Sequence, residues 1–352
     1  MSFFDQVLVS DSYGHIYKVH PASDTVTTVY TDANPTAFVQ NLLRSNTNPN
    51  NIIATVTASP LEPTRADVLL SQNNGGTWAV SGAAPFSNAG MNNFYSVALS
   101  DSGQRIFIPD IAPADAPDAN IYHSDNFGSS WTETHHLNAR FAGSLWSHLG
   151  KVWWNAGNTV DPNGLNRDDE AGGGYLYTAT AADNNTILHG SYHHDTIIQI
   201  KQAAGNDTII VINNASTAPS VVTRTLPVSF VIGALVVTPR KFVVTSLNNT
   251  FTAYVVWLTE DAGVTWTQTA EEAPRTVDGG INSHRIAQSE VDRNDLWTFI
   301  STPTLLNSED GGYSWRRYEV AGVPEDGTVV FTSIVVAKGV RPVSNVTLIG
   351  AT

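Results

Sequence analysis

The 352-residue sequence has no cysteine, only 2 methionines, and a charged fraction of only 14%. The absence of cysteine excludes a disulfide framework, a thiolate zinc site and a cysteine nucleophile. So few charges argue against a long charged helix or a coiled coil. The chain has no apolar run of about 18 residues, and Met1–Gln6 has neither a basic nor an apolar stretch. We therefore expect a protein made in the cytoplasm, with no signal peptide and no membrane insertion.

The charge balance excludes a further class of partner. Asp and Glu number 32 against 18 Lys and Arg, which gives a formal net charge of −14. Nucleic-acid binding needs a basic face, and an acidic chain is not attracted to an anionic membrane. Hydrophobic residues make up 41% of the chain, enough for a large core. We expect a folded protein with no nucleic-acid partner.

Short strands account for most of the sequence. Runs rich in β-branched residues are bounded by Gly, Pro, Asn or Asp, for example Asn51–Thr57, Thr208–Ile212 and Lys241–Thr245. No segment keeps an apolar period of 3.6 residues for more than two turns. The sequence therefore predicts an all-β protein.

One eight-residue pattern recurs along the chain: Ser or Thr, any residue, Asp or Asn, any residue, Gly, any two residues, and Trp. Four clear copies and a weaker one occur, at Ser71–Trp78, Ser124–Trp131, Thr259–Trp266, Ser308–Trp315 and, weakly, Ser10–Tyr17. An Asp or Asn side chain can bond to amides further along and lock a turn, and Gly supplies a positive φ. The Trp starts the returning strand and packs against the next unit. We therefore expect a structural role for these turn and anchor residues: Asn73, Trp78, Asn126, Trp131, Asp261, Trp266, Asp310 and Trp315.

The repeated pattern resembles the Asp-box, or BNR, repeat of sialidase-like β-propellers. In that family the box joins the two outer strands of a blade, on the face opposite the ligand site. Successive copies start 61, 53, 135 and 49 residues apart, so the longest gap leaves room for two blades without a clear box. Candidate outer hairpins in that gap are Tyr175–Thr180 with Thr186–Leu188, and Thr208–Asn213 with Ser220–Leu226.

This spacing predicts one domain over residues 1–352, a seven-bladed β-propeller of four-stranded antiparallel blades. We expect the N- and C-terminal strands to share the closing blade, from about residues 1–30 and 326–352. Thr328–Lys338 and Ser344–Ile349 would supply its two inner strands, and the N-terminal segment its outer hairpin. Such a closure leaves no open sheet edge.

Two long loops, Pro109–Asp118 and Asn155–Gly174, are expected on the face opposite the boxes. Three aspartates of these loops are weak catalytic candidates: Asp110, Asp161 and Asp168. Asp195, later in the chain, is a fourth. The second loop also offers oxygen ligands for Ca²⁺, although without EF-hand spacing: Asp161, Asn163, Asp168, Asp169 and Glu170. No other cofactor is expected. The alternative is that both loops are solvated insertions.

A further set of residues is a candidate for ligand binding: Trp153, Trp154, Tyr192, His193, His194, His284 and Arg285. Aromatic faces stack on sugar rings, and histidines at blade-to-blade junctions could bind a polar ligand or transfer protons. The alternative is core packing for at least one of the adjacent tryptophans, since alternation sends them to opposite faces, and hydrogen-bonded junction residues for the histidines.

The first functional hypothesis is a glycoside hydrolase, because the resemblance includes sialidases. Sialidases need three arginines that bind the sugar carboxylate, a Tyr/Glu nucleophile pair and an Asp that acts as acid/base catalyst. Their sequences also carry an early Phe/Tyr-Arg-Ile-Pro motif. That motif is absent, and the nearest string, Arg105–Pro109, has an inserted residue. Seven-bladed xyloglucanases of the same repeat type act in a cleft between two rings, and this chain fits only one ring.

The preferred hypothesis is a non-catalytic recognition or structural propeller. Its partners would be a glycan or other surface ligand, or neighbouring chains of a larger particle. The combination of no cysteine, no leader and an acidic, Asn- and Thr-rich chain is similar in style to tail, fibre or capsid-decorating components of bacteriophage virions. A third hypothesis is a photosystem-type assembly factor, whose arginine-rich patch has no obvious counterpart in this sequence.

Overall fold

The fold is taken from a computed structural model, which describes residues 6–35, 37–57, 66–82, 97–110, 119–137, 142–156, 164–169, 186–191, 193–201, 206–248, 250, 252–272, 285–289, 292–301, 303–324 and 329–337. Within these ranges every regular element is a strand, which confirms the all-β prediction. The described residues contain no helix long and apolar enough to cross a bilayer.

The described strands form small antiparallel sheets in which each strand pairs with the next. The terminal sheet is β27 (Phe331–Ala337), β1 (Gln6–Asp11), β2 (His15–His20) and β3 (Thr25–Thr31). The next two are β4 (Phe38–Arg44), β5 (Ile52–Thr57), β6 (Ala66–Ser71) and β7 (Ala79–Val80), then β8 (Ala98–Leu99), β9 (Ile106–Asp110), β10 (Ala119–Ser124) and β11 (Thr132–Leu137).

The remaining described sheets follow in chain order. They are β12 (Ala142–His148), β13 (Lys151–Ala156) and β14 (Gly164–Asp169), then β15 (Thr186–Gly190), β16 (Thr196–Lys201), β17 (Thr208–Asn213) and β18 (Ser220–Thr225). The last two are β19 (Val231–Val236), β20 (Phe242–Leu247), β21 (Tyr254–Thr259) and β22 (Thr267–Glu272), and β23 (Ile286–Gln288), β24 (Leu296–Ser301), β25 (Thr304–Ser308) and β26 (Arg316–Glu319).

The first strands of successive sheets lie side by side around an axis. Contacts run from β27 to β4, β4 to β8, β8 to β12, β12 to β15, β15 to β19, β19 to β23 and β23 back to β27. The core is divided among the gaps between neighbouring sheets rather than gathered in one centre. In one gap, for example, Val9 and Phe331 of the terminal sheet pack with Trp297 of β24. A circle of small antiparallel sheets with its core between them is a β-propeller.

The two ends of the chain meet in one sheet. Strand β1 pairs with β27 in a register that places Gln6 opposite Ala337 and Val9 opposite Ile334. The N-terminal segment supplies three strands of this sheet rather than the expected outer hairpin alone. The weaker repeat copy Ser10–Tyr17 therefore joins the second and third strands, so its interpretation as an outer turn was wrong. The predicted strand Ser344–Ile349 lies outside the described residues.

The prediction of seven four-stranded blades was also wrong in its strand count. Among the described residues six sheets have four strands, whereas the sheet β12–β14 has three. Thr186–Leu188 was expected in an outer hairpin but belongs to β15, the first strand of the next sheet. Its expected partner Tyr175–Thr180 lies outside the described residues. The second predicted hairpin of this gap is confirmed as β17 and β18.

Turns between first and second strands and turns between third and fourth strands lie at the same edge of each sheet, because antiparallel strands alternate in direction. We call this edge of the ring the turn face. Hydrogen bonds join the two kinds of turn. The amide at position 4 of each clear repeat copy donates to a carbonyl of the inner turn of its own sheet, at 2.8–3.0 Å: Asn74 to Asn50, Phe127 to Gln104, Ala262 to Arg240, and Gly311 to Asn294.

Candidate functional site

The four clear repeat copies share one turn geometry. The hydroxyl at position 1 accepts the amide of the position-5 glycine, at 2.7 Å from Ser124 to Gly128 and at 3.0 Å from Thr259 to Gly263. The side-chain oxygen at position 3 accepts the amide of position 7, as in Asn126 to Ser130 at 2.8 Å. Positions 4 and 5 both have positive φ, from 51° at Phe127 to 100° at Gly312. Two consecutive left-handed residues reverse the chain, and glycine makes the second one inexpensive.

The indoles of these turns are half-buried anchors between sheets. Trp131 Nε1 donates to Ser81 Oγ at 3.3 Å, and Ser81 directly follows the outer strand of the preceding sheet. Trp315 Nε1 donates at 3.0 Å to Thr269 Oγ1 of β22, again in the preceding sheet. Trp78 and Trp266 pack against the apolar clusters between sheets. The four indoles therefore contact the preceding sheet or the apolar cluster beside it.

A recess opens on the turn face where first strands end around the axis. It is shallow, with about 10 Å³ of space for a water-sized sphere, and its lining includes Arg44, Asn46, Leu99 and Ser147. Arg44 is the last residue of β4, and Ser147 lies at the end of β12. We call the recess and the turns around it the axial mouth.

Asp101 ties three neighbouring sheets together beside the axial mouth. Its carboxylate accepts hydrogen bonds from Asn46 Nδ2 at 2.6 Å, His148 Nδ1 at 2.9 Å and the Leu149 amide at 2.8 Å. Its carbonyl oxygen accepts the Ser45 hydroxyl at 2.6 Å. Burial alone would raise the pKa of Asp101, but the hydrogen bond and charge of His148 and the amide bonds hold it below its usual value. The carboxylate therefore stays ionised and fixes the imidazole.

His148 is 7% exposed, and its second ring nitrogen has no hydrogen-bond partner among the described residues. Because Nδ1 faces an ionised carboxylate, it carries the proton. Nε2 then presents a lone pair in the neutral ring and an N–H in the protonated ring. A buried polar atom without a partner is costly, so this nitrogen is a candidate contact for a ligand.

His193 and His194 lie in the turn between β15 and β16. Ser191 Oγ accepts the amides of both, at 3.2 Å and 3.1 Å. Burial lowers the pKa of His193 first, and the charges of Arg293, His194, His148 and Arg44 lower it further. Burial, Arg293 and His148 likewise lower the pKa of His194. The charged groups that lower these pKa values belong to the sheet of the two histidines and to three other sheets.

The predicted placement of His193, His194 and Asp195 at a blade-to-blade junction was wrong. Strands β15 and β16 are neighbours in one sheet, so this turn lies on the turn face. Asp195 accepts both the amide and the hydroxyl of Ser216 at 2.7 Å, which fixes the outer turn after β17. Tyr192 lies outside the described residues.

Arg285 lies directly before β23, on the chain entering a new sheet, as predicted for a junction. Its side chain is 2% exposed, and its Cζ lies 5.2 Å from the centroid of the Phe299 ring. The start of a first strand is at the edge opposite the turn face. Arg285 and His193 therefore do not share a site, and His284 lies outside the described residues.

Trp153 and Trp154 are 1% and 0% exposed, so the prediction of a sugar platform at either ring was wrong. They pack into different apolar clusters, on opposite faces of β13. The expected alternation along the strand is confirmed. A continuous core on both faces of a strand leaves no ring face for a sugar.

The predicted carboxylate and Ca²⁺ sites fall mainly outside the described residues, as Asp161, Asn163 and Glu170 do. Asp168 and Asp169 lie in β14, opposite Val152 and Lys151, so the predicted loop Asn155–Gly174 is in part a strand. Asp110 is the last residue of β9 rather than a loop residue. Over the described part of the chain, no group of three or more His, Asp or Glu side chains is arranged to hold a metal ion.

Sequence reasoning did not single out Arg44, Asp101, His148 or Arg293. Each ends a first strand or lies in the turn that follows one. Their common signal is this position within the repeat. It becomes visible only when the innermost strand of each sheet is known, and the short strand β8 gives little sign of itself in the sequence.

No protein-family model matches the sequence, and no curated protein matches it. Similar solved structures include the GH74 xyloglucanase from Xanthomonas campestris, with a TM-score of 0.62 and 11% identity, covering 90% of this chain and 53% of that one. TolB from Acinetobacter baumannii has a TM-score of 0.52 and 13% identity, covering 96% and 67%. YCF48 bound to D1 peptide has a TM-score of 0.50 and 16% identity, covering 81% and 86%.

The chain spans about half the length of the xyloglucanase chain. At these identities the likeness concerns the backbone only and does not carry over an activity. Together with the circle of sheets, it shows that the chain has the β-propeller fold.

Proposed function

We propose that this chain is a non-catalytic recognition or structural β-propeller, with repeated turns of the Asp-box type and with β12–β14 as the seventh blade. The observation that carries the proposal is the state of the carboxylates. Most Asp and Glu side chains in the described part of the chain have a hydrogen-bond or ion-pair partner within the protein. Examples are Asp101 with His148, Asp195 with Ser216 and Asp207 with the Val231 amide at 2.8 Å.

Glycoside hydrolysis needs two carboxyl groups about 5–10 Å apart that face the sugar and a water molecule. The described carboxylates instead lock turns or join sheets. Asp310, for example, accepts the amides of Tyr313 and Ser314, and Glu272 pairs with Arg317 at 2.9 Å. A carboxylate held in this way is a poor nucleophile or proton donor. This pattern supports a scaffold rather than an enzyme.

We propose a glycan or other surface ligand, or neighbouring chains of a particle such as a bacteriophage virion, as the partner. A closed ring is a rigid platform whose loops set its function. The likeness to a xyloglucanase supports a polysaccharide among the ligands to be tried. The chain would be made in the cytoplasm and would act as part of the particle.

The alternative, a glycoside hydrolase, also rests on the likeness to the xyloglucanase. Purified protein is incubated with sialosides and with β-glucans, beside Asp161→Ala and Asp168→Ala variants. We expect no turnover from any of the three proteins. Hydrolysis by the parent chain that either substitution abolishes would contradict the non-catalytic proposal.

A glycan array tests recognition, and copurification with a large particle tests the structural role. Binding to at least one glycan class, or comigration with a particle at fixed stoichiometry, would support the proposal. Failure of both, for the folded full chain, would contradict it.

A further inference from the structure

We propose that the exposed ring of Tyr313, on the turn face, is a stacking platform for a neutral sugar ring of a β-linked glucan. This inference deepens the glycan recognition proposed above and rests on it. Tyr313 lies in the turn between β25 and β26 and is 51% exposed. Two side chains of the neighbouring sheet contact it, Lys241 from the turn between β19 and β20 and Glu260 from the turn between β21 and β22. We call these three side chains the Tyr313 platform.

The geometry of the repeated turn does not account for this tyrosine. Tyr313 occupies position 6, where the other clear copies have Gly76, Ser129 and Val264. All four turns nevertheless keep the hydrogen bonds made by positions 1 and 3. Within its own turn Tyr313 contributes only its amide, which donates to Asp310 Oδ1 at 2.9 Å. The aromatic side chain is therefore not required for the turn to form.

The ring is held in place before any ligand arrives. Its hydroxyl donates to Glu260 Oε1, and Lys241 Nζ lies over the ring, 4.3 Å from its centroid. About half of the residue remains in contact with solvent, so a ligand can reach the ring. A rigid aromatic side chain loses little conformational entropy when a ligand stacks on it.

The polar groups of the platform can still bond to sugar hydroxyls. Within the part of the chain that the structure describes, Lys241 Nζ makes no hydrogen bond or ion pair, and Glu260 uses one of its two carboxylate oxygens. An ammonium donates and a carboxylate accepts, whereas a hydroxyl does both. The C–H groups on the face of a pyranose pack on an aromatic ring, and its hydroxyls reach polar groups at the edge.

The charges beside the ring favour a neutral sugar over an acidic one. The carboxylates of Glu260 and Asp310 both accept hydrogen bonds from Tyr313, against the single ammonium of Lys241. The net charge of −14 on the whole chain adds to the repulsion of an anion. A β-linked glucan is neutral, and its equatorial hydroxyls leave both faces of each ring apolar. Such a ring can lie flat on the tyrosine.

The test is calorimetric titration of the folded full chain with cellotetraose and, separately, with the acidic sugar sialyllactose. The variants are Tyr313→Ala, which removes the ring, and Tyr313→Phe, which keeps the ring and loses the hydroxyl bond to Glu260. The matched control is Tyr13→Ala, at a tyrosine that is 41% exposed in the turn between β1 and β2 of another sheet. Thermal midpoints check that every variant is folded.

We expect cellotetraose to bind the parent chain and Tyr313→Ala to weaken this binding about fivefold or more, the contribution of one aromatic stacking contact. Tyr313→Phe and Tyr13→Ala should bind like the parent chain. Sialyllactose should bind more weakly than cellotetraose. If Tyr313→Phe lost as much affinity as Tyr313→Ala, the hydroxyl rather than the ring face would be the contact, and stacking would be wrong.

Further outcomes separate this inference from the proposed function. If cellotetraose does not bind, or binds Tyr313→Ala as well as the parent chain, the platform is wrong, and glycan recognition at another site is judged by the array alone. If no glycan on the array binds the folded chain, the glycan part of the proposed function fails together with the platform. Tighter binding of sialyllactose than of cellotetraose would overturn the assignment of a neutral sugar.

Discussion

The repeated turns of the first half of the ring and those of the second half have one shape but different chemistry at position 3. Asn73 and Asn126 donate through Nδ2 to the hydroxyl at position 7, at 2.9 Å in both turns. Asp261 and Asp310 instead accept from that hydroxyl, at 2.6 Å and 2.5 Å. The aspartates also accept an additional amide, at position 6.

This difference shows which features the turn needs. One side-chain oxygen at position 3 and one hydroxyl at position 1 are present in all four turns, whereas the charge is present in two. The hydroxyl at position 7 rotates to donate or accept, according to its partner. The shape is therefore set by acceptor geometry, and the charge adds a dependence on pH.

The largest expected effect is the loss of stability on removing an indole. It should be equal in the two halves, because the indoles of both are half-buried between sheets. We expect Trp131→Ala and Trp266→Ala each to lower the free energy of unfolding by about 2–3 kcal/mol, below the range for a fully buried aromatic residue. Chemical denaturation measures this. A cost below about 1 kcal/mol in either half would show that its indole is not an anchor.

The next effect tests the shared hydroxyl. Ser124→Ala and Ser308→Ala each remove the acceptor of a buried glycine amide, 2.7 Å away in both turns. We expect a loss of about 1–3 kcal/mol in each. Ser23→Ala is the matched control, since its hydroxyl bonds are exposed, and should change stability by less than about 0.5 kcal/mol. Unequal losses between the two halves would contradict a common geometry.

Low pH should destabilise the turns of the second half, which carry Asp at position 3, more than those of the first half, which carry Asn. Burial would raise the pKa of Asp310, but the hydrogen bonds of Ser314, Ser308 and Tyr313 hold it at about 2. Hydrogen bonds from Thr265 lead in lowering the pKa of Asp261, also to about 2. Both folded-state pKa values lie below the usual aspartate value of 3.8. This contribution to stability is therefore present above about pH 4 and lost as the pH falls towards 2.

We expect Asp310→Asn to flatten the fall in the free energy of unfolding between pH 4 and pH 2, measured by urea denaturation, by less than about 1 kcal/mol because the group is exposed. Asn126→Asp, at the equivalent position of the first half, should steepen it. If the free energy of unfolding of Asp310→Asn and of the parent chain fell identically with pH, the aspartate charge would not contribute to stability.

The smallest expected effect is the change in the free energy of unfolding that Asn126→Asp causes at neutral pH. In Asn126→Asp the Ser130 hydroxyl can reverse its role and donate, as Thr265 does to Asp261. We expect a change in the free energy of unfolding below about 0.5 kcal/mol at pH 7. A loss above about 1.5 kcal/mol would show that the amide donor of the first half is required.

The repeat predicted the outer turns because Gly and Trp mark them directly in the sequence. It predicted the closing sheet, because the chain begins and ends without a complete set of strands. It could not show how many strands each end of the chain supplies to that sheet. Ser10–Tyr17 has the spacing of an outer turn but lies between β1 and β2. It also missed strand β14, which pairs with β13 and occupies part of an expected loop.

The site was harder to predict for a physical reason. The residues that line the recess of the axial mouth come from distant parts of the chain, from Arg44 to Ser147, and no local spacing in the sequence indicates that they are neighbours. His193 and His194 were singled out as a pair but placed at the wrong edge. Two adjacent tryptophans are typical of a surface on which sugars stack. Only the structure shows that Trp153 and Trp154 are both buried, in apolar clusters on opposite faces of β13.

The central claim is that the repeated turns are equivalent wedges of one closed circle, and the pairing of β1 with β27 tests it most directly. The chain has no cysteine, so Gln6→Cys with Ala337→Cys introduces the only two thiols, at positions directly opposite in the register. After folding under mild oxidation, we expect no free thiol in the unfolded, unreduced monomer, because neighbouring strands bring the two sulfurs within bonding distance. Two titratable thiols per chain would contradict the closed ring.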